Sequence, residues 1–138
     1  MMIRRMGYHV VRGDQHDFEE RNPPPGRESD PARSATDLST SASLRQSRAR
    51  IWRYPPGSRG RRHADKVQEE VFVVLAGTLT MHLGEPPERF ELPPQSVASV
   101  EPGTPLQLQN DGDAEVVVFI YGAPAEQGGA DFFEDAAP

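Results

Sequence analysis

The sequence predicts an all-β domain, either a β-sandwich or a small barrel, on three observations. The chain has 138 residues, and this length favours one domain with one hydrophobic core. Its 14 prolines and 12 glycines lie mostly in short clusters. These clusters separate about seven short β-rich runs from residue 44 onward, and such close spacing of short strands is typical of sandwiches and barrels.

Residues 1–43 are predicted to form a short N-terminal strand followed by an irregular arm. Residues 7–12 are interpreted as the strand. Residues 13–33 are acidic and proline-rich and show no hydrophobic period, so we expect them to lie over the domain without regular structure. Residues 34–43 are rich in turn-forming residues and predict no definite element.

Residues 44–123 hold the β-rich runs and are predicted to form the barrel. The first run ends at the turn sequence Pro55-Pro56-Gly57. Gly77 separates the second and third runs and is read as a hairpin or bend. The predicted strands are 44–54, 69–77, 78–84, 88–92, 96–103, 104–110 and 114–124.

Two further expectations concern the tail and a lone histidine. The tail, residues 124–138, is expected to contain one helical turn that docks Phe132 and Phe133. His82 lies within a β run and is expected to face outward as a surface histidine.

The composition disfavours several classes of partner and site. The net charge of −6 makes nucleic acid a poor candidate partner. The absence of cysteine excludes disulfides and thiolate metal sites. No apolar run approaches the ~20 residues of a membrane span, so a membrane partner is not expected. The opening residues, MMIRRMGYHVV, are too short and too polar for a signal peptide, and we therefore expect a cytoplasmic protein.

Three side chains between residues 63 and 70 have the chemistry of metal ligands. His63 and Asp65 are one residue apart, so on an extended chain they point the same way. Glu70 lies at the start of the next run and shares its face with Phe72, which predicts that Glu70 points inward. A buried carboxylate needs a cation, an arginine or a ligand hydroxyl, because burying it unpaired is costly. One imidazole and two carboxylates suit Fe(II), Mn(II) or a similar ion.

Basic and aromatic residues precede this segment. Trp52 and Tyr54 share one strand face with Arg50, which suits either a ligand cavity with a cation beside aromatic rings or a core or dimer interface. A basic stretch surrounds them and either contacts an anionic ligand or forms a solvated face. Its members are Arg45, Arg48, Arg50, Arg53, Arg59, Arg61 and Arg62.

The segment around His63 resembles the first conserved motif of the cupin superfamily. That motif runs Gly, five residues, His, one residue, His, three or four residues, Glu, six residues, Gly. Gly57, His63, Glu70 and Gly77 match it, and Asp65 stands in place of the second His.

The second cupin motif runs Gly, five residues, Pro, one residue, Gly, two residues, His, three residues, Asn, and falls on residues 95–110. Gly103 and Asn110 match it. The resemblance as a whole covers residues 44–123. The departures are Gln95 for Gly, Glu101 for Pro and Leu106 for His.

The resemblance implies a cupin-type double-stranded β-helix, or jelly-roll, barrel. Metal-binding cupins typically use two His and one Glu from the first motif and a third His from the second. The ligands that this chain retains for such a divalent ion (Fe, Mn, Ni or Zn) are His63, Asp65 and Glu70, since Leu106 cannot ligate. The alternative is a retired site, in which Asp65 pairs with a nearby arginine such as Arg61 or Arg62 and hydrogen bonds hold the Glu70 carboxyl group.

Three functions remain open from the sequence. In the first, the barrel cavity binds a small organic ligand and no metal is essential. Leu106 makes that cavity more apolar, which suits an organic ligand. The residues expected to line it are Trp52, Tyr54, Gln68, Phe72 and Leu106, near His63, Asp65 and Glu70.

The second function is a metal-dependent enzyme of the dioxygenase, isomerase or cyclase type, which the resemblance implies. His63 and Glu70 are its candidate catalytic residues, and in a metal-free variant His63 acts as general acid/base while Glu70 orients it. The third function is a dimeric interaction scaffold. Cupins are commonly homodimers, and an exposed edge strand favours pairing with a second copy.

Overall fold

The computed structural model describes residues 7–125 and 128–137, which are almost entirely β. This confirms the all-β class predicted from the sequence. One short helix, α1 (Leu38–Ser41), and a 3₁₀ turn at Gly13–Gln15 are the helical elements of the described residues. The strands are β1 (Glu19–Arg21), β2 (Arg33–Asp37), β3 (Arg48–Tyr54), β4 (His63–Asp65), β5 (Glu69–Ala76), β6 (Leu79–Leu83), β7 (Glu88–Leu92), β8 (Val97–Val100), β9 (Leu106–Gln109), β10 (Val116–Ala123) and β11 (Ala130–Phe132).

The strands form two antiparallel sheets. Sheet A has six strands in the order β1-β2-β3-β10-β5-β8, and sheet B has five in the order β11-β4-β9-β6-β7. From β3 to β10 the chain alternates between the sheets, apart from the β6–β7 hairpin. This alternation makes the double-sheet jelly roll, in which side chains of the two inner faces fill the interior.

The hydrophobic core lies between the two sheets. Phe72 and Val74 of β5 pack in one cluster with Leu79 and Met81 of β6, and each is at most 2% exposed. The intervening side chains of β5 point away from the core, and Leu75 is 50% exposed. The period of two expected for a strand with one buried face is therefore present in β5.

The tight connection between β5 and β6 depends on Gly77. Its φ is +72°, a backbone conformation that glycine adopts without steric cost. A Cβ at this position would lie 2.4 Å from the carbonyl oxygen of Glu115. The structure thus has a bend where the sequence predicted a hairpin or bend.

The N-terminal segment differs from its expected form. Residues 7–12 contain no strand, and the segment predicted as an irregular arm contains β1. Strand β2 extends sheet A by pairing along β3, and Ala35 and Thr36 are buried there. The sequence RSATD lacks large apolar residues, so hydrophobic alternation could not reveal this strand.

The C-terminal segment also differs from the expected helical turn. It forms β11, which pairs with β4 at the edge of sheet B. Beyond the strand, Asp135 forms ion pairs with Arg27 and Arg59 and accepts a hydrogen bond from Gln107. Gln107 also accepts from the backbone N–H of Ala136. The tail is therefore fastened to the outer face of sheet B.

His82 is buried, and its predicted surface position is wrong. Its exposed fraction is 5%, and its Nε2 has no hydrogen-bond partner among the described residues. It stands in register between Arg89 of β7 and Gln107 of β9. Because the tail binds Gln107, a non-local segment covers this part of the outer face, which local sequence could not show.

Among residues 7–125 and 128–137, no helix has the length and apolar character needed to cross a bilayer.

Candidate functional site

A cavity of about 250 Å³ lies within the barrel. Its walls come from β3, β5 and β10 of sheet A, from β9 and the segment leading into β4 of sheet B, and from one residue of β2. The five residues expected to bind ligand all line it: Trp52, Tyr54, Gln68, Phe72 and Leu106.

Strand β3 supplies a wall of cations and aromatic rings. Arg48, Arg50, Trp52 and Tyr54 alternate along the strand, so their side chains share its inner face. The rings of Trp52 and Tyr54 have centroids 6.0 Å apart. Burial, followed by the charge of Arg48, lowers the pKa of Arg50. The Arg50 guanidinium is therefore a poorly compensated cation.

Glu70 faces Arg48 across a glycine. In the sheet register Gly122 of β10 pairs with Glu70 on one side and with Arg48 on the other. Gly122 has no side chain, and a Cβ there would lie 3.0 Å from Gln68 Oε1. Gln68 is held in this place because its Nε2 donates to the carbonyl of Pro124 at 2.8 Å. The missing side chain thus makes room for the Gln68 amide against Gly122.

The carboxyl group of Glu70 is an uncompensated acid in the cavity wall. Its Oε1 is buried and has no hydrogen-bond partner among the described residues, so the expected hydrogen bond is absent at this atom. Burial raises the pKa of Glu70 from 4.5 to about 7. The charge of Asp65 adds to the rise, and those of Arg50 and Arg48 oppose it. Near neutral pH the group is therefore partly a carboxylic acid and partly a carboxylate.

Arg33 of β2 enters the same cavity and was not anticipated from the sequence. Its guanidinium carbon lies 4.8 Å from the Trp52 ring centroid and 5.3 Å from that of Tyr54. Its Nη1 donates to the Tyr54 hydroxyl at 3.1 Å. Residues 33–37, Arg-Ser-Ala-Thr-Asp, carry no periodic signal for a strand, so sequence reasoning had no means of placing Arg33 in the cavity.

His63 lines the cavity from β4, where it pairs in register with Leu106 of β9. Its Nδ1 lies 3.0 Å from the carbonyl oxygen of Arg61. Because a carbonyl oxygen only accepts, Nδ1 is the donor in this contact, and in the neutral form of the ring Nε2 is then the acceptor. The ring of Phe132 lies 6.3 Å from the His63 ring and 3.9 Å from the Arg61 guanidinium carbon. Strand β11 thus packs against both cavity residues.

Asp65 does not line the cavity. Its Oδ1 accepts hydrogen bonds from the backbone N–H groups of Val67 at 3.0 Å and Gln68 at 2.7 Å, which closes the turn before β5. Within the described residues it forms no ion pair with Arg61 or Arg62, contrary to the pairing expected for a retired site.

These positions do not assemble the metal site that the motif resemblance implies. Of its three expected ligands, only His63 and Glu70 line the cavity, and Leu106 occupies the place of a fourth. In the part of the chain that the structure describes, no three His, Cys, Asp or Glu side chains form a group that could hold a metal ion. Two donors leave most coordination positions unfilled, so this donor set does not fit a tightly bound divalent ion.

The charges on the cavity wall are strongly unequal. Arg33, Arg48, Arg50 and Arg61 line it, against the carboxyl group of Glu70. Among residues 7–125 and 128–137, none of the four arginines forms an ion pair with a carboxylate. Uncompensated cations beside low-dielectric walls focus a positive potential and attract anions.

Other arginines of the basic stretch serve the fold. Arg59 pairs with Asp135 at 3.3 Å, and Arg62 pairs with Glu85 at 3.1 Å. Arg53 is exposed and packs on an aromatic ring away from the cavity. The stretch is therefore neither wholly a ligand surface nor wholly a solvated face.

Comparison with known proteins identifies the family. The family model described as Cupin domain matches residues 50–121, more than half of the chain. No curated protein matches the sequence significantly.

Several solved structures share the fold over most of the chain. A sugar phosphate isomerase of the cupin superfamily from Silicibacter pomeroyi DSS-3 is 18% identical, with a TM-score of 0.74 and coverage of 93% of this chain and 94% of that one. A predicted oxalate decarboxylase from Thermotoga maritima is 19% identical, with a TM-score of 0.73 and coverage of 83% and 98%. A cupin protein from Bacteroides fragilis is 17% identical, with a TM-score of 0.66 and coverage of 97% of each chain. The family match and the shared double-sheet fold together show that this chain belongs to the cupin superfamily, as its two motifs indicated.

Proposed function

We propose that this protein binds a small organic anion, of the sugar-phosphate or sugar-acid class, in its barrel cavity without requiring a metal ion. The observation that carries the proposal is the composition of the cavity wall, which contains four arginines and one carboxyl group. The planar guanidinium offers paired N–H donors that match the oxygens of a phosphate or carboxylate. The adjacent Trp52 and Tyr54 rings offer flat surfaces for a carbon skeleton.

The size of the cavity limits the ligand to a small metabolite. Its volume of about 250 Å³ is below the ~300–1,000 Å³ of pockets that hold drug-sized molecules. Apolar side chains, including Phe72, Leu106, Leu108 and Ile120, form the rest of the wall. A short carbon chain with one charged end suits this mixture of apolar and cationic surface.

The similar structures support the class of ligand through their names. One is described as a sugar phosphate isomerase and one as a predicted oxalate decarboxylase, and both names refer to small organic anions. At 18% and 19% identity the likeness itself is one of fold, so the ligand class for this chain rests on its own arginines.

His63 and Glu70 favour a second function, proton transfer on the bound anion. An imidazole whose Nε2 is free to accept and a carboxyl group with a pKa of about 7 face the same cavity. Such a pair would serve as general base and general acid at neighbouring carbons of a sugar. Incorporation of deuterium from D₂O beside the carbonyl of ribose 5-phosphate, lost in His63→Ala, would support it. The absence of exchange in the wild type would leave binding alone.

Isothermal titration calorimetry on EDTA-treated protein tests the binding proposal. We expect ribose 5-phosphate to bind and uncharged ribose not to bind. Arg50→Met should weaken binding by about tenfold or more, because a hydrogen bond to a charged group contributes ~1.5–3 kcal/mol. Arg53→Met is the matched control, since Arg53 lies on the opposite face of the same strand. Equal binding of ribose, or loss of all binding after EDTA treatment, would contradict the proposal.

A further inference from the structure

We infer that the cavity contains two separate anion subsites, so that its ligand is a short chain with an anionic group at each end. The inference rests on the proposed function and adds the ligand's second charge. Arg48 and Arg50 form one subsite beside Glu70. Arg33, brought in by the N-terminal segment, forms the other with the Tyr54 hydroxyl.

The two subsites lie at opposite ends of β3. Arg50 and Tyr54 are four residues apart on this strand, which separates their backbones by about 13 Å. Arg33 adjoins Tyr54, because Ser34 pairs with Arg53 in the register of β2 and β3. The hydrogen bond from Arg33 to the Tyr54 hydroxyl holds the guanidinium at that end. We therefore assign the two sets of arginines to two different anionic groups of the ligand.

The Arg33 subsite has hydrogen-bond donors without acceptors. The Nε of Arg33 is buried and has no partner among the described residues. The Tyr54 hydroxyl accepts from Arg33, so its own hydrogen remains available to a further acceptor. Burial raises the pKa of Tyr54, which keeps this hydroxyl protonated and able to donate. Since buried polar groups are almost always hydrogen-bonded, these donors indicate that an acceptor binds here.

A glycine keeps this subsite open. A Cβ at Gly60 would lie 2.9 Å from the Tyr54 hydroxyl oxygen and 3.1 Å from Arg33 Nη1. Any side chain at this position would therefore cover both donors. Gly60 has an ordinary negative φ and is not required by backbone conformation. Its lack of a side chain leaves space beside the two donors.

The opposite subsite consists of two neighbouring arginines of β3. Arg48 and Arg50 project from the same face of β3, and neither forms an ion pair within the described part of the chain. Gly122, which pairs with both Arg48 and Glu70, leaves room for the Gln68 amide beside them. Aromatic and aliphatic side chains lie between the two ends, where a carbon chain would pass.

A matched pair of four-carbon ligands tests the second subsite. 4-Phosphoerythronate carries a phosphate and a carboxylate, whereas erythritol 4-phosphate carries the phosphate alone on the same number of carbons. We expect calorimetry on EDTA-treated wild-type protein to show about tenfold or more tighter binding of 4-phosphoerythronate. Arg33→Met, which keeps an apolar side chain on the Trp52 ring, should remove this advantage, and Arg33→Lys should retain part of it. Arg53→Met should leave it unchanged.

The outcomes separate this inference from the proposed function. If both ligands bind equally to the wild type and Arg50→Met abolishes both, the second subsite is refuted and anion binding stands. If Arg33→Met folds, as judged by an unchanged circular dichroism spectrum, and keeps the full preference for 4-phosphoerythronate, the subsite is likewise refuted. If neither ligand binds to the wild type although ribose 5-phosphate does, the subsite is refuted and the proposed function stands. If ribose 5-phosphate does not bind either, both are refuted.

Discussion

At the scale of single residues, two positions decide what the cavity can bind. Leucine stands at position 106, where the family motif has histidine, and Asp65 lies in a turn. Asp65 uses its carboxylate on two backbone N–H groups, and Leu106 brings a methyl-bearing side chain where the family motif has an imidazole. The sequence indicated the weakness at Leu106 directly, because leucine cannot ligate. The sequence could not indicate that the Asp65 carboxylate binds backbone N–H groups instead of facing the cavity. Alternation along a strand gives no information about a turn that forms two residues later.

Restoring the imidazole should create a metal site. In Leu106→His, the new ring would pair in register with His63 and share the cavity with Glu70, giving two imidazoles and one carboxylate. That donor set suits a divalent transition metal. We expect elemental analysis after dialysis against Ni(II) to give close to one ion per chain in the variant and far less in the wild type. His63→Ala combined with Leu106→His is the control and should lose the ion. Stoichiometric metal in the wild type would contradict this account of the site.

Glu70 should make the stability of the protein depend on pH. Its folded pKa of about 7 lies above the ordinary 4.5, so its contribution to stability is fully present below about pH 4.5 and is lost as pH rises through 7. Glu70→Gln cannot ionise and should be more stable than the wild type at pH 8, by on the order of 2 kcal/mol, with little difference at pH 5. Urea denaturation at both pH values measures this. A constant difference across the range would show that Glu70 has no raised pKa.

At the scale of elements, β3 and the strands from β5 to β10 could be predicted, whereas the short strands β1, β2, β4 and β11 could not. Strand β7 was predicted over the same residues that it occupies, because pairs of prolines delimit it on both sides. Strands β2 and β11 are short and poor in large aliphatic residues, and pairing with a distant strand stabilises them. For the same reason Arg33 was missed, whereas Arg48 and Arg50 lie on a strand whose alternation is evident.

The C-terminal segment should contribute to stability chiefly through Asp135. Although burial alone would raise the pKa of this carboxyl group, hydrogen bonds from Arg27 and Gln107 and the charges of Arg27 and Arg59 lower it below 3.8. Its contribution is therefore present above that value and is lost as pH falls through the lowered pKa. Asp135→Asn should cost about 1–3 kcal/mol at pH 7, from the loss of charged hydrogen bonds, and much less near pH 2. Chemical denaturation at the two pH values checks this, with Asp131→Asn on the exposed edge as control; a cost that is the same at both would count against it.

At the scale of the whole molecule, the inner and outer faces of sheet A have different roles. The inner face carries the core and the cavity, whereas the outer face exposes large apolar side chains. Leu75 is 50% exposed, Val97 63% and Tyr121 38%. Pairing of two copies would cover these residues, because contiguous exposed apolar side chains favour association. The homodimer expected from the sequence therefore stays a prediction, and this face is the one we expect it to use. Sedimentation equilibrium should show a dimer that Leu75→Glu shifts towards monomer; a wild-type monomer at all concentrations would refute it.

The central claim is that the barrel cavity binds a small organic anion without metal, and Trp52 allows a direct test. It is the only tryptophan of the chain and it lines the cavity beside Arg33 and Arg50. The decisive measurement is a titration of EDTA-treated wild-type protein with ribose 5-phosphate, followed by tryptophan fluorescence with ribose as the parallel titrant. We predict a saturable change with ribose 5-phosphate that ribose does not produce. A flat response to ribose 5-phosphate, together with no heat of binding under the same conditions, would contradict the account.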